Sequence, residues 1–241
     1  MAGHFGALAA DYDRLRPADE HWHELLDVLV TEGDLAGRRV LDVGCGTGRV
    51  AAELAGRGCR VWGVDPEPAM VAQAAAAGGG AFRVAAAERL PFRDGWFERA
   101  LLRLVVHLVD RPRALPELAR VLSPEGRLVL ATFAPEHFEG SWLAPYFPSL
   151  PAVDRARFPA PAALARELAR AGFGEVGVRR LTQRRTVARQ EALARIRGRF
   201  ISSLALVGEE EYAAGLARAE RELPEEVPSV LRWAVLAARR A

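Results

Sequence analysis

The sequence predicts a doubly wound α/β fold built on a mostly parallel sheet, and two observations carry that expectation. Between Arg38 and Phe133 short apolar runs alternate with helical stretches; strands separated by helices pair in parallel through right-handed crossovers. A glycine-rich segment, Gly44 to Gly48, stands directly between the first run and the first helix, which is where such sheets carry a ligand loop.

The elements follow in order. Val40–Val43 is rich in β-branched residues and ends in glycine, so it reads as a buried strand. Arg49–Arg57 is a helix with Val50, Ala51, Leu54 and Ala55 on one face. Arg60–Val64 is the second strand. A helix over Pro68–Ala77 follows Pro66 and is stopped by Gly78–Gly80. Phe82–Ala85 and Phe97–Leu102 make strands three and four. Asp110–Leu122 spaces Leu115, Leu118, Ala119 and Leu122 as a buried helical stripe. Ser123–Gly126 reads as a turn, and Arg127–Phe133 as the fifth strand. Ala134–Pro161 is rich in proline and aromatics without a period. Ala162–Ala171 is a helix stopped by Gly172, and Glu175–Leu181 alternates like a strand. Thr186–Ser203 and Glu209–Leu223 are amphipathic helices, and Ser229–Leu236 closes as a strand.

Composition narrows the partners. The chain has 241 residues, 50% hydrophobic and 27% charged, with a formal net charge of +2, which excludes a disordered or collagen-like polymer. No apolar run approaches the roughly 20 residues of a membrane span, and the start MAGHFGALAADYDRLRP lacks the basic-then-apolar pattern of a secretory signal. A cytoplasmic protein with no membrane partner is expected. Cys45 and Cys59 are too few for a disulfide framework or a metal cluster, and fit small buried thiols in a reducing compartment. The chain has no lysine and no asparagine, a pattern shared by GC-rich coding and by avoidance of thermolabile residues. Interspersed acids and bases give no field suited to nucleic acid.

The glycine loop is the most informative stretch. In VLDVGCGTGRVAAEL, Gly44, Gly46 and Gly48 follow a strand and precede a helix, so a ligand can approach backbone N–H groups at a helix start. A dinucleotide fingerprint needs a third glycine where Arg49 stands. The pattern is instead G-x-G-x-G with Asp42 two residues ahead. A pyrophosphate would be repelled by that carboxylate, whereas an ammonium group would be attracted. Asp65 ends the second strand, 17 residues after Gly48, where an acid can accept both hydroxyls of a ribose. The competing account is a ligand-free turn with Asp65 capping a helix.

These residues resemble the class I S-adenosylmethionine-dependent methyltransferases, particularly the ubiquinone and menaquinone biosynthesis branch. VLDVGCGTGR, VWGVDPEPAMV, AERLPFRDGWFERALLRLVVHLVD and ALPELARVLSPEGRLVLATF carry the likeness over residues 38–133, and ADYDRLRP resembles the family's lead-in. The resemblance implies a Rossmann-like seven-stranded sheet with helices on both faces and an antiparallel last strand. It implies one methyltransferase domain over 1–241: a helical cap at 1–37, a cofactor-binding core at 38–133, and substrate-side insertions at 134–161 and 182–228. The implied cofactor is S-adenosylmethionine. Gly44, Cys45 and Gly46 would line its methionine part with Asp42 near the ammonium group, and Gly48 would complete the loop. Asp65, with Pro66 beside it, would hold the ribose, and Met70 would cover the adenine. Ala87 and Glu88 would sit at the adenine edge. Arg103 and Leu104 would lie under the sulfonium, and Tyr12 and Arg16 would close over the cofactor. Relatives often carry an aspartate where Ala86 stands, so Glu88 is the candidate substitute.

For the acceptor, a small molecule, methyl transfer needs mainly an in-line geometry. His107, just beyond strand four, is the candidate general base; packing or capping in the VVHLVD turn is the alternative. His21 and His23 are expected on an exposed helix face, and no histidine pair has metal-ligand spacing. Phe133, Trp142 and Tyr146, with Phe138, Phe147 and Phe158, form either an apolar substrate lid or a satellite cluster sealing the sheet edge. The arginine-rich stretch Arg179–Arg199 suits an acidic substrate or RNA, but its spacing favours a solvated face. A non-catalytic S-adenosylmethionine-binding protein, or another transferase using the same site, is the competing function. A nucleic-acid methyltransferase is disfavoured because LLRLVVHL stands where an N-P-P-Y-type motif would.

Overall fold

The structure is a computed structural model that describes residues 12–241. His4 and the first two residues of the ADYDRLRP lead-in lie outside the described residues. Two helices lead in, α1 (Tyr12–Leu15) and α2 (Glu20–Gly33). The core then alternates β1 (Arg39–Val43), α3 (Arg49–Gly56), β2 (Arg60–Asp65), α4 (Pro68–Ala77), β3 (Ala81–Val84), β4 (Phe97–Arg103), α5 (Arg111–Val121) and β5 (Leu122–Phe133). Two short helices, α6 (Glu136–Glu139) and α7 (Leu150–Arg157), precede α8 (Pro161–Arg170) and the long strand β6 (Phe173–Ala188). Helices α9 (Arg189–Arg197) and α10 (Glu209–Glu222) flank a 3-10 turn at Ser202–Leu206, and β7 (Glu226–Arg240) follows.

The seven strands form one sheet in the order β3-β2-β1-β4-β5-β7-β6. Strands β1 to β5 pair in parallel, while β7 runs antiparallel between β5 and β6. The chain moves one way from β1 to β2 and the other way from β4 to β5. A crevice therefore opens at their carboxyl ends, as it does wherever strand order reverses.

Alternation along β1 sorts its side chains between two cores. Leu41 and Val43 pack with Leu115 and Leu118 of α5 and Leu164 and Leu168 of α8. Val40 packs on the other face with Leu25 and Leu29 of α2 and Val50 and Leu54 of α3. A third cluster joins Leu143, Phe147 and Leu150 to Val187, Ile196, Leu204 and Val207. Among the described residues no helix is long and apolar enough to cross a membrane, and no group of three or more His, Cys, Asp or Glu is placed to hold a metal.

Three expectations change. The Ser123–Gly126 turn is a bulge inside β5: Phe97 pairs with Leu122 and Arg99 with Arg127, and Glu125 takes a φ of 68° to turn the extra residues out. The helix expected over Thr186–Ser203 starts only at Arg189, because Thr186–Ala188 pair with Pro228–Glu226 in the β6–β7 ladder. Cross-strand pairing there outweighs the helical pattern, and only residues 189–225 leave the sheet, rather than 182–228. His21 and His23 are half-buried rather than exposed: His21 Nε2 lies 3.1 Å from the Arg184 carbonyl oxygen, and the His23 ring meets Trp22 edge-on.

Gln183 of β6, 2% exposed, ties the lead-in to the sheet. Its Nε2 donates to the His21 carbonyl and the Glu24 carboxylate, both at 2.7 Å, while its Oε1 accepts from Trp233 Nε1 at 2.8 Å. Replacing Gln183 with leucine strands the buried indole N–H, so the unfolding free energy measured by chemical denaturation should fall by roughly 1–3 kcal/mol.

Candidate functional site

The crevice is a cavity of about 290 Å³. The loop after β1 forms its floor, the tip of β2 one wall, and the segments after β3 and β4 the others. Tyr12, Gly44, Gly46, Asp65, Pro66, Met70, Ala87, Glu88, Arg103 and Leu104 all line it, so most of the residues expected to hold a cofactor converge. Gly44 takes a φ of 71°, and a Cβ there would meet Val105 Cγ2 at 2.3 Å; only glycine lets the loop lie on the β4 segment. At Gly46, φ 53°, a Cβ would meet nothing within 4 Å, which leaves the backbone open towards the cavity.

Four of the expected residues do not line the crevice. Gly48 faces the opposite way, towards Ala74 of α4. Cys45 is buried, and burial pushes its thiol well above the usual range. Asp42 lies beneath the loop, 2% exposed, because it shares a face of β1 with Val40. Arg16 belongs to a neighbouring cavity.

The carboxylates are held under tension. Burial and the Asp65 charge push Asp42 up to about 7, against the pull of Arg103, and Asp42 Oδ2 is buried with no hydrogen-bond partner among the described residues. Asp65 Oδ2 accepts from the Gly46 N–H and Oδ1 from the Glu67 N–H, each at 3.0 Å. It therefore braces the glycine loop, with lone pairs left for further donors. Glu88 Oε1 accepts from the Asp110 N–H at 2.7 Å, so the candidate substitute for the acid absent at Ala86 also steadies the start of α5. Burial draws Arg103 down to about 10.

A second cavity, about 200 Å³, adjoins the first. Tyr12, Arg103 and Leu104 line both. Leu104 sits at the junction with a φ of 57°, a conformation costly for a branched residue and common at functional turns. His107, Phe133 and Trp142 line this second cavity, as do Phe138 and Phe158. Tyr146 does not: it packs against the third cluster, within cation–π range of Arg218, because α10 draws that part of the segment away. The aromatic segment thus divides: one set of rings walls a cavity, while Tyr146 and Phe147 join a separate cluster.

His107 stacks on Phe158 with ring centroids 3.8 Å apart. Burial, reinforced by Arg157 and Arg16, lowers it to about 3, and its Nδ1 is buried with no partner among the described residues. The ring is neutral, and it lacks the near-neutral pKa that made it the base candidate.

Sequence reasoning missed the rest of this cavity: Trp22, His21 and Asp19 from α2 and its cap, Gln183, Arg185, Arg195, Ser202, Ser203 and Asp154. These residues come from five separate stretches and form no local motif. The one available signal was the arginine-rich 179–199 stretch, and its solvated-face assignment fails at Arg185 and Arg195, which face inward.

Residues 41–130 match the family model described as a methyltransferase domain. An uncharacterised methyltransferase of Mycobacterium tuberculosis is 40% identical over 131 residues, covering 54% of this chain and 52% of that protein. The O-methyltransferase resE of Aspergillus sclerotiorum is 38% identical over 105 residues, 40% of each chain. The chain thus spans about half the length, or less, of these relatives. Geranyl diphosphate C-methyltransferase of Streptomyces coelicolor, solved with S-adenosyl-L-homocysteine, superposes with a TM-score of 0.57 at 19% identity, covering 91% of this chain and 79% of that one, a likeness of fold. Sheet order, glycine loop and domain match point the same way: residues 41–130 are similar to a methyltransferase domain, and the sheet around them has the fold of solved S-adenosylmethionine-dependent methyltransferases. None of the three relatives bears the name of a quinone-biosynthesis enzyme, so the branch rests on the motifs alone.

A histidine lowered in the folded state adds stability above its unfolded value of 6.5, and that stability is lost as pH falls towards 3. The difference in denaturant stability between the parent and His107→Phe, which keeps the ring stack, should therefore shift in favour of the variant between about pH 6.5 and 4.

Proposed function

We propose that this chain is an S-adenosylmethionine-dependent methyltransferase acting on a small molecule. The observation that carries the proposal is the meeting of two cavities at Tyr12, Arg103 and Leu104: one built from the glycine loop and Asp65, the other walled by aromatic rings. Local features fit the cofactor. Asp42 offers a buried carboxylate oxygen with no partner among the described residues beneath a loop open at Gly46, which suits an ammonium group. Asp65 stands at the β2 tip with acceptor capacity to spare, which suits a ribose, and buried Met70 offers an apolar surface for a planar base.

When bound, S-adenosylmethionine supplies a methyl group on a cationic sulfonium; an acceptor lone pair forms the new bond as the carbon–sulfur bond breaks and the thioether leaves. The protein's task is alignment and exclusion of water. Tyr12, Arg103 and Leu104 frame the opening between the cavities. His107, neutral, serves the acceptor as a hydrogen-bond partner rather than as a strong base, so acceptors already deprotonated are favoured. Phe133 and Trp142 contact the acceptor's apolar body, and Arg16 closes the cavity roof through its bond to the Phe200 carbonyl. Free, buried Cys45 and Cys59 support placement in a reducing cytoplasm.

Calorimetric titration tests the cofactor. S-adenosylmethionine and S-adenosylhomocysteine should bind and NAD should not; NAD binding alone would overturn the proposal. Asp65→Ala should weaken S-adenosylhomocysteine binding by roughly 100-fold, through lost hydroxyl partners and a loosened loop. Binding should also be linked to a proton. Asp42 is protonated below about 7 in the free protein, and an ammonium group beside it would keep it ionised. Titration at about pH 6 in buffers of different ionisation enthalpy should show close to one proton released, vanishing at about pH 9. Asp42→Asn should abolish the release.

A further inference from the structure

We propose that the second cavity selects acceptors bearing a carboxylate, seated against Arg185 and Arg195, with an apolar body over the Phe133–Phe158 wall. This assignment rests on the methyltransferase reading above and names the substrate class of the same site.

Arg195 is the central observation. Its side chain is 4% exposed and lines the cavity, and its Nε is buried with no hydrogen-bond partner among the described residues. Arg185 lines the same cavity with its side chain 18% exposed, and its Nε is likewise buried and without a partner there. Two neighbouring guanidinium groups thus line the cavity, each keeping a buried N–H that no described protein acceptor takes. Leaving a buried charge so poorly matched is costly, and a pair of arginines is the usual device for gripping a carboxylate or phosphate.

The carboxylates nearby do not satisfy the pair. Arg195 Nη2 meets Glu191 at 2.5 Å, but the Glu191 side chain is 46% exposed, so solvent weakens its compensation. Arg185 Nη1 meets Asp19 Oδ2 at 2.9 Å, while Asp19 Oδ1 is already spent on the Trp22 N–H that starts α2. Asp154, the other acid on the wall, is occupied by Ser203. The two guanidinium groups also oppose each other: burial and then the Arg185 charge lower Arg195. An anion in the cavity offsets the repulsion between the two guanidinium groups.

Position decides its role. Arg185 and Arg195 line the second cavity alone, whereas Tyr12, Arg103 and Leu104 line both cavities. The carboxylate is therefore an anchor, and the methylated atom is another atom of the acceptor, nearer the junction. The same cavity is lined by the stacked pairs His107–Phe158 and Phe133–His137, with centroids at 3.8 and 3.9 Å, a surface suited to a flat apolar body.

Calorimetry on the full chain saturated with S-adenosylhomocysteine tests the assignment, using 2-naphthoate, octanoate, 2-naphthamide and 2-naphthyl phosphate as probes. At least one carboxylate should bind roughly tenfold or more tightly than the neutral amide, as expected for a charge-assisted bond. Arg195→Gln and Arg185→Gln should each erase that preference while leaving the amide and S-adenosylhomocysteine affinities in place, which also shows that the variants fold. The assignment is overturned if both carboxylates bind no better than the amide, if none of the probes binds, or if the preference survives in both variants. Tighter binding of the phosphate than of either carboxylate overturns it in favour of a phosphate acceptor. If S-adenosylhomocysteine fails to bind while the carboxylate preference and its loss in the variants hold, the cofactor reading fails and the anion site stands.

Discussion

The burial of β1 between β2 and β4 is the constraint on which everything else depends. Val40, Leu41 and Val43 are almost wholly shielded and divide between two cores, so the strand cannot slip by one residue without turning Asp42 into the wrong face. With β1 fixed, its carboxyl end falls where the connections diverge, and the glycine loop has one place to go. The Gly44 and Cys45 N–H groups both donate to the Val64 carbonyl, at 2.8 and 3.0 Å, and Asp65 takes the Gly46 N–H. The tip of β2 thereby shapes the turn that follows β1.

Charge is arranged in opposite senses on the two sides of the Tyr12–Arg103–Leu104 junction. Beneath the glycine loop lie Asp42 and Asp65, both buried and both raised by desolvation. Around the aromatic cavity lie Arg16, Arg103, Arg185 and Arg195, facing Asp19 and Asp154. An acidic pocket suits a ligand bearing an ammonium group and a basic one suits an anion, so the two cavities favour opposite charge. Buried polar atoms without partners among the described residues lie beneath the glycine loop, at Asp42, and in the aromatic cavity, at His107, Arg185 and Arg195, each at a cost in folding stability.

Much of the fold was legible because its signals are local. Strand β1, helix α4 and helix α10 were predicted to within a residue or two, since glycine and proline punctuate them and an apolar period fills them. Where tertiary pairing competed with local pattern, the pairing won: β6 continues through Ala188 because β7 offers partners along its whole length. The crevice was similarly legible, since the loop glycines, Asp65 and Arg103 each sit at a strand end that the sequence marks, and Met70 in the first turn of the helix after one. His107 was correctly placed at the end of β4, but its protonation behaviour depends on Phe158, Arg157 and Arg16, which no local pattern brings near it.

The sequence by itself determined the order of the core elements, the switch point and the place of the glycine loop, because each depends on residues within one turn of a strand end. Only the tertiary structure decided the second cavity. Its wall is assembled from α2, the segment after β5, the ends of β6 and β7 and the 3-10 turn, and charge and burial there are properties of the assembly. Arg195 is indistinguishable in the sequence from its solvated neighbours. It becomes a buried, under-compensated cation only when the β6–β7 ladder and the turn at Ser202–Leu206 enclose it.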